Sequence, residues 1–111
     1  MQANIYQAAA NGTAVYPGQG EALGLIYVAL GLNGEAGEVA EVVKKMWRDD
    51  NGALTSEVRQ KVKKELGDVL WYVAQVATEA NLTLTEVMQA NLAKLADRKE
   101  RGVMGGSGDD R

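Results

Sequence analysis

An all-α bundle is the fold class that the sequence predicts, and three observations predict it. From about Glu21 to Trp47, and again from about Ser56 to Ala80, apolar residues recur at helical spacing. Helix start signals precede the later runs: Thr55 or Ser56 as N-cap with Glu57 in the first turn, then Thr83 and Glu86 at capping-box spacing. No segment alternates as a strand does, and with no Phe in the chain the core falls to Val, Leu, Ala, Met and a few Tyr and Trp. The 111 residues suffice for one domain and are too few for two.

Each element follows from its punctuation. Residues 4–10 form a short helix closed by Asn11 and Gly12, and TAVYPGQG, with the only proline, is a loop. The second helix runs to Trp47 and ends in the turn RDDNGAL; the third ends at Asn81. The fourth continues from Thr83 to about Arg101, after which four glycines between 102 and 108 end regular structure. The single domain thus divides into a short helix and loop (1–20), three main helices (21–101) and a Gly-rich tail or lid (102–111). Two long helices and one short one cannot bury both apolar faces alone, so a homodimer or homotetramer is expected.

Composition removes several chemistries. Without Cys there are no disulfides, iron–sulfur clusters or thiol nucleophiles, and without His most zinc sites and the commonest general base are gone. The 12 basic and 15 acidic residues are interleaved and leave a net charge of -3, which gives no general attraction to nucleic acid or to an anionic membrane. MQANIYQAAANG has no signal-peptide pattern and no long apolar run follows, so a cytoplasmic protein is expected.

The acids of GLNGEAGEVAEVVKK carry the first functional signal. At about 100° per residue from Glu35, Val39, Val42 and Met46 fall within about 40° and Glu38 at about 300°, so both acids lie in or beside the apolar stripe. In the third helix Val58, Val62, Val69, Tyr72 and Val76 cluster within about 60° of Glu65, with Asp68 at about 300°. Two helices therefore carry carboxylate pairs of equal spacing and phase: E-x-x-E, 26 residues, E-x-x-D. A single such pair is commonly a surface feature. Four converging carboxylates repel one another and call for cations; an all-oxygen set suits Mg²⁺ first and Mn²⁺ next. A di-iron bundle normally needs Glu-x-x-His, which this chain lacks.

On the fourth helix Val87, Asn91, Lys94, Arg98 and Arg101 share one stripe, either a solvated charged face or a set of phosphate contacts. The acidic groove favours phosphates. Candidate base-pocket linings are Thr13, Tyr16, Asn33, Trp47 and Tyr72, while Trp71 is expected to pack against another helix or a second subunit. Gly31, Gly34 and Gly37 read as close helix packing rather than a nucleotide loop, because each costs about 1 kcal/mol within a helix.

Together, GLNGEAGEVAEVVKK, KKELGDVLWYVAQVA and NLAKLADRKERGVMGGSGDDR resemble the MazG-like family of all-α nucleoside triphosphate pyrophosphohydrolases, particularly its short single-domain forms in phages and bacteria. The resemblance covers about residues 21–111. It implies hydrolysis of an NTP or dNTP to the monophosphate and pyrophosphate by water attack at the α-phosphate. Two or more Mg²⁺ or Mn²⁺ ions would be held by Glu35, Glu38, Glu65 and Asp68, with Glu38 or Glu35 accepting the proton. Asn91, Lys94 and Arg98 match positions that contact the triphosphate or a metal shell, and Lys94 would aid catalysis. Arg101 extends that stripe, and Arg111 ends a tail of the phage-like forms. Likeness to those forms also implies a purine substrate, dGTP or GTP, used in pool control or housecleaning, in the host cytoplasm if the protein is phage-encoded. Two other classes stay open: a Mg²⁺-stabilised helical interaction module, and a regulator that binds nucleotides without cleaving them.

Overall fold

A computed structural model describes all residues, 1–111, as four helices with no strand: α1 (Ala3–Gly12), α2 (Ala22–Asp49), α3 (Ser56–Glu79) and α4 (Leu84–Arg101). The fold is all-α, as the periodicity predicts. Helix α1 is longer than expected at both ends, because Asn11 and Gly12 continue the helix, which closes as Thr13 N donates to the Ala10 carbonyl and Ala14 N to the Asn11 carbonyl.

The centre of the fold is the antiparallel hairpin of α2 and α3. Asn51 and Gly52, both at positive φ, reverse the chain between them. Along the hairpin Gly24 faces Glu79, Gly31 faces Tyr72, and Glu35 faces Glu65 and Asp68. Gly31 sets the spacing: a Cβ built there would run into the Tyr72 ring, so only glycine lets the two helices approach this closely. Gly34 and Gly37, expected to serve the same purpose, have nothing within 4 Å of a built Cβ.

Helix α1 attaches the start of α4 to the end of α3. Gln7 Nε2 donates to Thr78 Oγ1 at 3.1 Å and to the Leu82 carbonyl at 2.9 Å, while Gln7 Oε1 accepts from Leu84 N at 2.7 Å. Asn4 Oδ1 accepts from Thr85 N at 3.1 Å, and the predicted capping box between Thr83 and Glu86 is formed in both directions. With Val87 N bonded to the Thr83 carbonyl, the first four amides of α4 are all satisfied. Below this junction lies the small core of Ala10, Ala74 and Leu84, flanked by Ala3, Tyr6, Trp71 and Val73. The loop before α2 is pinned to α3 by Glu79, which accepts from Tyr16 Oη at 2.6 Å and from Gly20 N at 3.0 Å.

This arrangement leaves much of the chain unpartnered. Only 10 of 111 residues are buried, and the radius of gyration is 16.7 Å against about 13 Å for a compact chain of this length. Helices α2 and α4 make no contact with one another. Leu23, Ile26 and Leu30 on α2, Leu66 and Leu70 on α3, and Met88 and Leu92 on α4 are all exposed.

Replacing Gly31 with Ala is expected to destabilise the fold by about 1–3 kcal/mol through overpacking against Tyr72, although Ala is the better helix former. Urea unfolding of the variant measures this.

Candidate functional site

The register of α2 on α3 brings three of the four predicted acids together. One carboxylate oxygen each from Glu35, Glu65 and Asp68 lies within 4.8 Å of the others. Glu35 and Glu65 are half-buried between the helices and Asp68 stands at the exposed edge. Glu38 is exposed and lies just outside this trio, lining the neighbouring groove with Glu65, Val42, Met46 and Lys61.

The electrostatics of the trio are unbalanced. None of the four acids takes part in a salt bridge; Lys61 pairs with Glu57 instead, and Lys44 with Glu41. Partial burial first, then the charges of Asp68, Glu65 and Glu38, push the Glu35 carboxyl above the ordinary carboxylate range. Each pair of unit charges at this separation repels by about 1 kcal/mol at the dielectric of water, and by more where Glu35 is half-buried. A cation removes that cost. The donor set, three or four carboxylates with no nitrogen or sulfur, fits a hard divalent ion.

Beside the acids is an aromatic hollow. Thr13, Trp71 and Tyr72 line both the space over Glu35 and Asp68 and an adjoining hollow of about 220 Å³ with Val15, Tyr16, Pro17 and Tyr27. Tyr16 stacks on Tyr27 at 5.5 Å, and Trp71 meets Tyr72 edge-on at 4.9 Å. The Trp71 indole N–H donates to Thr13 Oγ1 at 2.8 Å, which fixes the ring at the junction of the two spaces. Trp71, expected to pack against another helix or a second subunit, does pack on the core of Ala10, Ala74 and Leu84 and is also a wall of the hollow. Of the expected linings, Thr13, Tyr16 and Tyr72 are present, whereas Asn33 is not among the lining residues. Trp47 lies far along α2, 75% exposed, with its ring against Gly52. Tyr27 is a lining residue that the sequence reading misses, yet it precedes Gly31 and Glu35 at steps of four on α2, so the row leading to the acids is readable.

The predicted phosphate-binding residues are elsewhere. Asn91 and Lys94 line a separate groove of about 610 Å³ with Leu82, Glu86, Val87 and Ala90, and none of the four acids borders it. Arg98 is buried at 4% exposure, and Arg101 pairs with Asp97 at 2.8 Å. Arg111 donates to the carbonyls of Met104, Gly105 and Gly108 within the tail.

Residues 26–103 match the family model described as "MazG nucleotide pyrophosphohydrolase domain". The chain belongs to the MazG family. The match spans both acid pairs and the α4 stripe, and membership indicates nucleotide pyrophosphohydrolase activity, in a family that acts on nucleotides and is typically metal-dependent. A relative from Mycobacterium phage L5, "Gene 37 protein", is 54% identical over 114 residues, covering 100% of both chains. No solved structure matches. No helix is long and apolar enough to cross a membrane.

The raised Glu35 carboxyl has a definite sign in stability. The folded chain holds this proton more tightly than the unfolded chain, so stability falls as pH rises through the carboxylate range and Glu35 ionises. In EDTA, Glu35→Gln is expected to raise the melting temperature near pH 7 by a few degrees, the response to about 1 kcal/mol in a domain of this size. Mg²⁺ should raise the melting temperature of wild type and not of the variant.

Proposed function

We propose that the protein hydrolyses a nucleoside or deoxynucleoside triphosphate to the monophosphate and pyrophosphate. The observation that carries this reading is the convergence of Glu35, Glu65 and Asp68, unpaired by any cation, beside an aromatic hollow in a chain of this family. Glu35, Glu65 and Asp68, with Glu38 at their edge, would hold two or more Mg²⁺ or Mn²⁺ ions. Such ions, when bound, supply Lewis-acid activation of water and neutralise charge on the phosphates.

The chain's own groups do the rest. Glu38, outside the crowded trio and exposed, is the free acceptor for the proton of the attacking water. The water oxygen bonds to the α-phosphorus, the bond from that phosphorus to the bridging oxygen of pyrophosphate breaks, and the monophosphate keeps the new oxygen. The hollow of about 220 Å³ is smaller than the usual ligand pocket of about 300 Å³ or more, so it suits a base rather than a whole nucleotide. Trp71, Tyr72 and Tyr27 offer the aromatic faces and Thr13 a hydroxyl. A guanine nucleotide, dGTP or GTP, is our preferred substrate on family likeness, in pool control or housecleaning.

Two copies complete the machinery in this proposal. Leu23, Ile26, Leu30, Gly34 and Gly37 follow one another at steps of three or four along α2, an apolar stripe ending in two glycines that touch nothing within the chain. A second α2 crossing there would bury the leucines and come close at the glycines. Because α2 and α4 do not touch within one chain, the phosphate contacts of Asn91, Lys94 and Arg98 on the acids' substrate are assigned to the second copy.

Assay of the eight common NTPs and dNTPs is expected to show pyrophosphate release that requires Mg²⁺ or Mn²⁺ and stops in EDTA. Asp68→Asn and Glu38→Gln should each lower kcat by about 10²-fold or more with helix content unchanged. Full activity in both variants sinks the metal-holding role of Asp68 and the proton-accepting role of Glu38. No turnover of any nucleotide, with metal still raising the melting temperature, would instead make the protein a binding module. Light scattering after gel filtration is expected to give a dimer or a larger assembly for wild type and a monomer for Leu30→Glu.

A further inference from the structure

The chain beyond α4 turns back on its own helix. Gly102, Gly106 and Gly108 adopt left-handed φ of 71°, 101° and 84°, values that only glycine takes without strain, and the tail returns residue 109 to the α4 face carrying Lys94 and Arg98. There the Asp109 carboxylate lies 3.0 Å from Lys94 Nζ and 3.4 Å from Arg98 Nη2, and the Asp109 carbonyl accepts a second hydrogen bond from Arg98 Nη2. Arg111 holds the loop closed through the carbonyls of Met104, Gly105 and Gly108, while Arg101 Nη2 donates to the main-chain oxygen of Arg111 at 2.7 Å. Beneath the loop, Arg98 Nε is buried without a partner, a donor that Asp109 leaves unsatisfied.

We propose that this loop is an internal anion seated on the phosphate-binding cations, so that Asp109 stands in for a phosphate and a nucleoside triphosphate must displace it to bind. The inference rests on Lys94 and Arg98 being phosphate contacts, as proposed above. Three features favour displacement over permanent closure. The Asp109 side chain is 83% exposed, and its pair with Lys94 lies at the surface, where ion pairs hold weakly. A triphosphate carries several charges against one carboxylate and can also satisfy the idle Arg98 Nε. The glycines at 102, 105, 106 and 108 give the loop room to swing away once Asp109 is released. Lys94 first, and Arg98 next, hold the Asp109 carboxyl below its ordinary range, so the latch remains charged at neutral pH.

The experiment is calorimetric titration of the full chain with inorganic tripolyphosphate. Wild type, Asp109→Ala, a form truncated after Val103, and Lys94→Ala are compared at one ionic strength. Asp109→Ala and the truncated form are each expected to bind about 3–10 times more tightly than wild type, and Lys94→Ala more weakly. Equal or weaker binding by both tail variants overturns the latch and makes the tail a passive end or a lid that assists binding. Absence of binding by the tail variants overturns it as well. The underlying assignment fails separately: if Lys94→Ala binds tripolyphosphate as wild type does, Lys94 is not a phosphate contact.

Discussion

The close approach of α2 and α3 at Gly31 and Tyr72 is the constraint on which the site depends. It fixes the register of two long helices at one point, and the turn beyond that point on each helix carries an acid pair. A shift of one residue would rotate Glu65 and Asp68 by about 100° out of the facing position, leaving surface acids and no cluster. Packing on one side of this contact therefore supports repulsion on the other. Such a local conflict is what a cation at the proposed site would relieve.

The parts of the fold set by local chemistry were legible in the sequence. The Thr83 and Glu86 capping box, the Thr55 N-cap accepting from Val58 N and the αL Gly102 all depend on neighbours a few residues away. The wheel also separated the acids correctly, placing Glu35 and Glu65 centrally and Glu38 and Asp68 at the edge, and burial follows that order. What spacing could not supply was contact between distant segments. Gln7 and Asn4 read as ordinary polar residues of a short helix, yet they accept from the first amides of α4, about eighty positions away. The sequence offers Trp47 as a base-pocket lining and Trp71 as a packing residue. Only the tertiary fold sets one against Gly52 and the other over the acids.

The three glycines in the middle of α2 illustrate the same boundary. Their helix cost predicts a reason for each, and within the chain only Gly31 has one. Gly34 and Gly37 fall instead on the exposed stripe begun by Leu23, Ile26 and Leu30. Burial of ten residues in a chain of 111, with a radius of gyration well above the compact value, makes that stripe part of a larger deficit. In the assembly proposed above, a second copy would cover these half-bare helices, with its backbone closest at the unpartnered glycines.

Charge separation then links fold to regulation. The acids sit between α2 and α3 and the basic stripe on α4, with no ion pair joining the two sets. Had they paired, each would have neutralised the other and neither metal nor phosphate would have been favoured. Keeping them apart leaves the acids with excess negative charge and the cations in need of an anion. In the proposed latch the chain supplies that anion locally through Asp109, whose pair with Lys94 lies at the surface and is weak enough to be given up. Both halves of the proposed site are thus held in a state that substrate and ion together relieve, one by displacing a carboxylate and the other by cancelling repulsion among three.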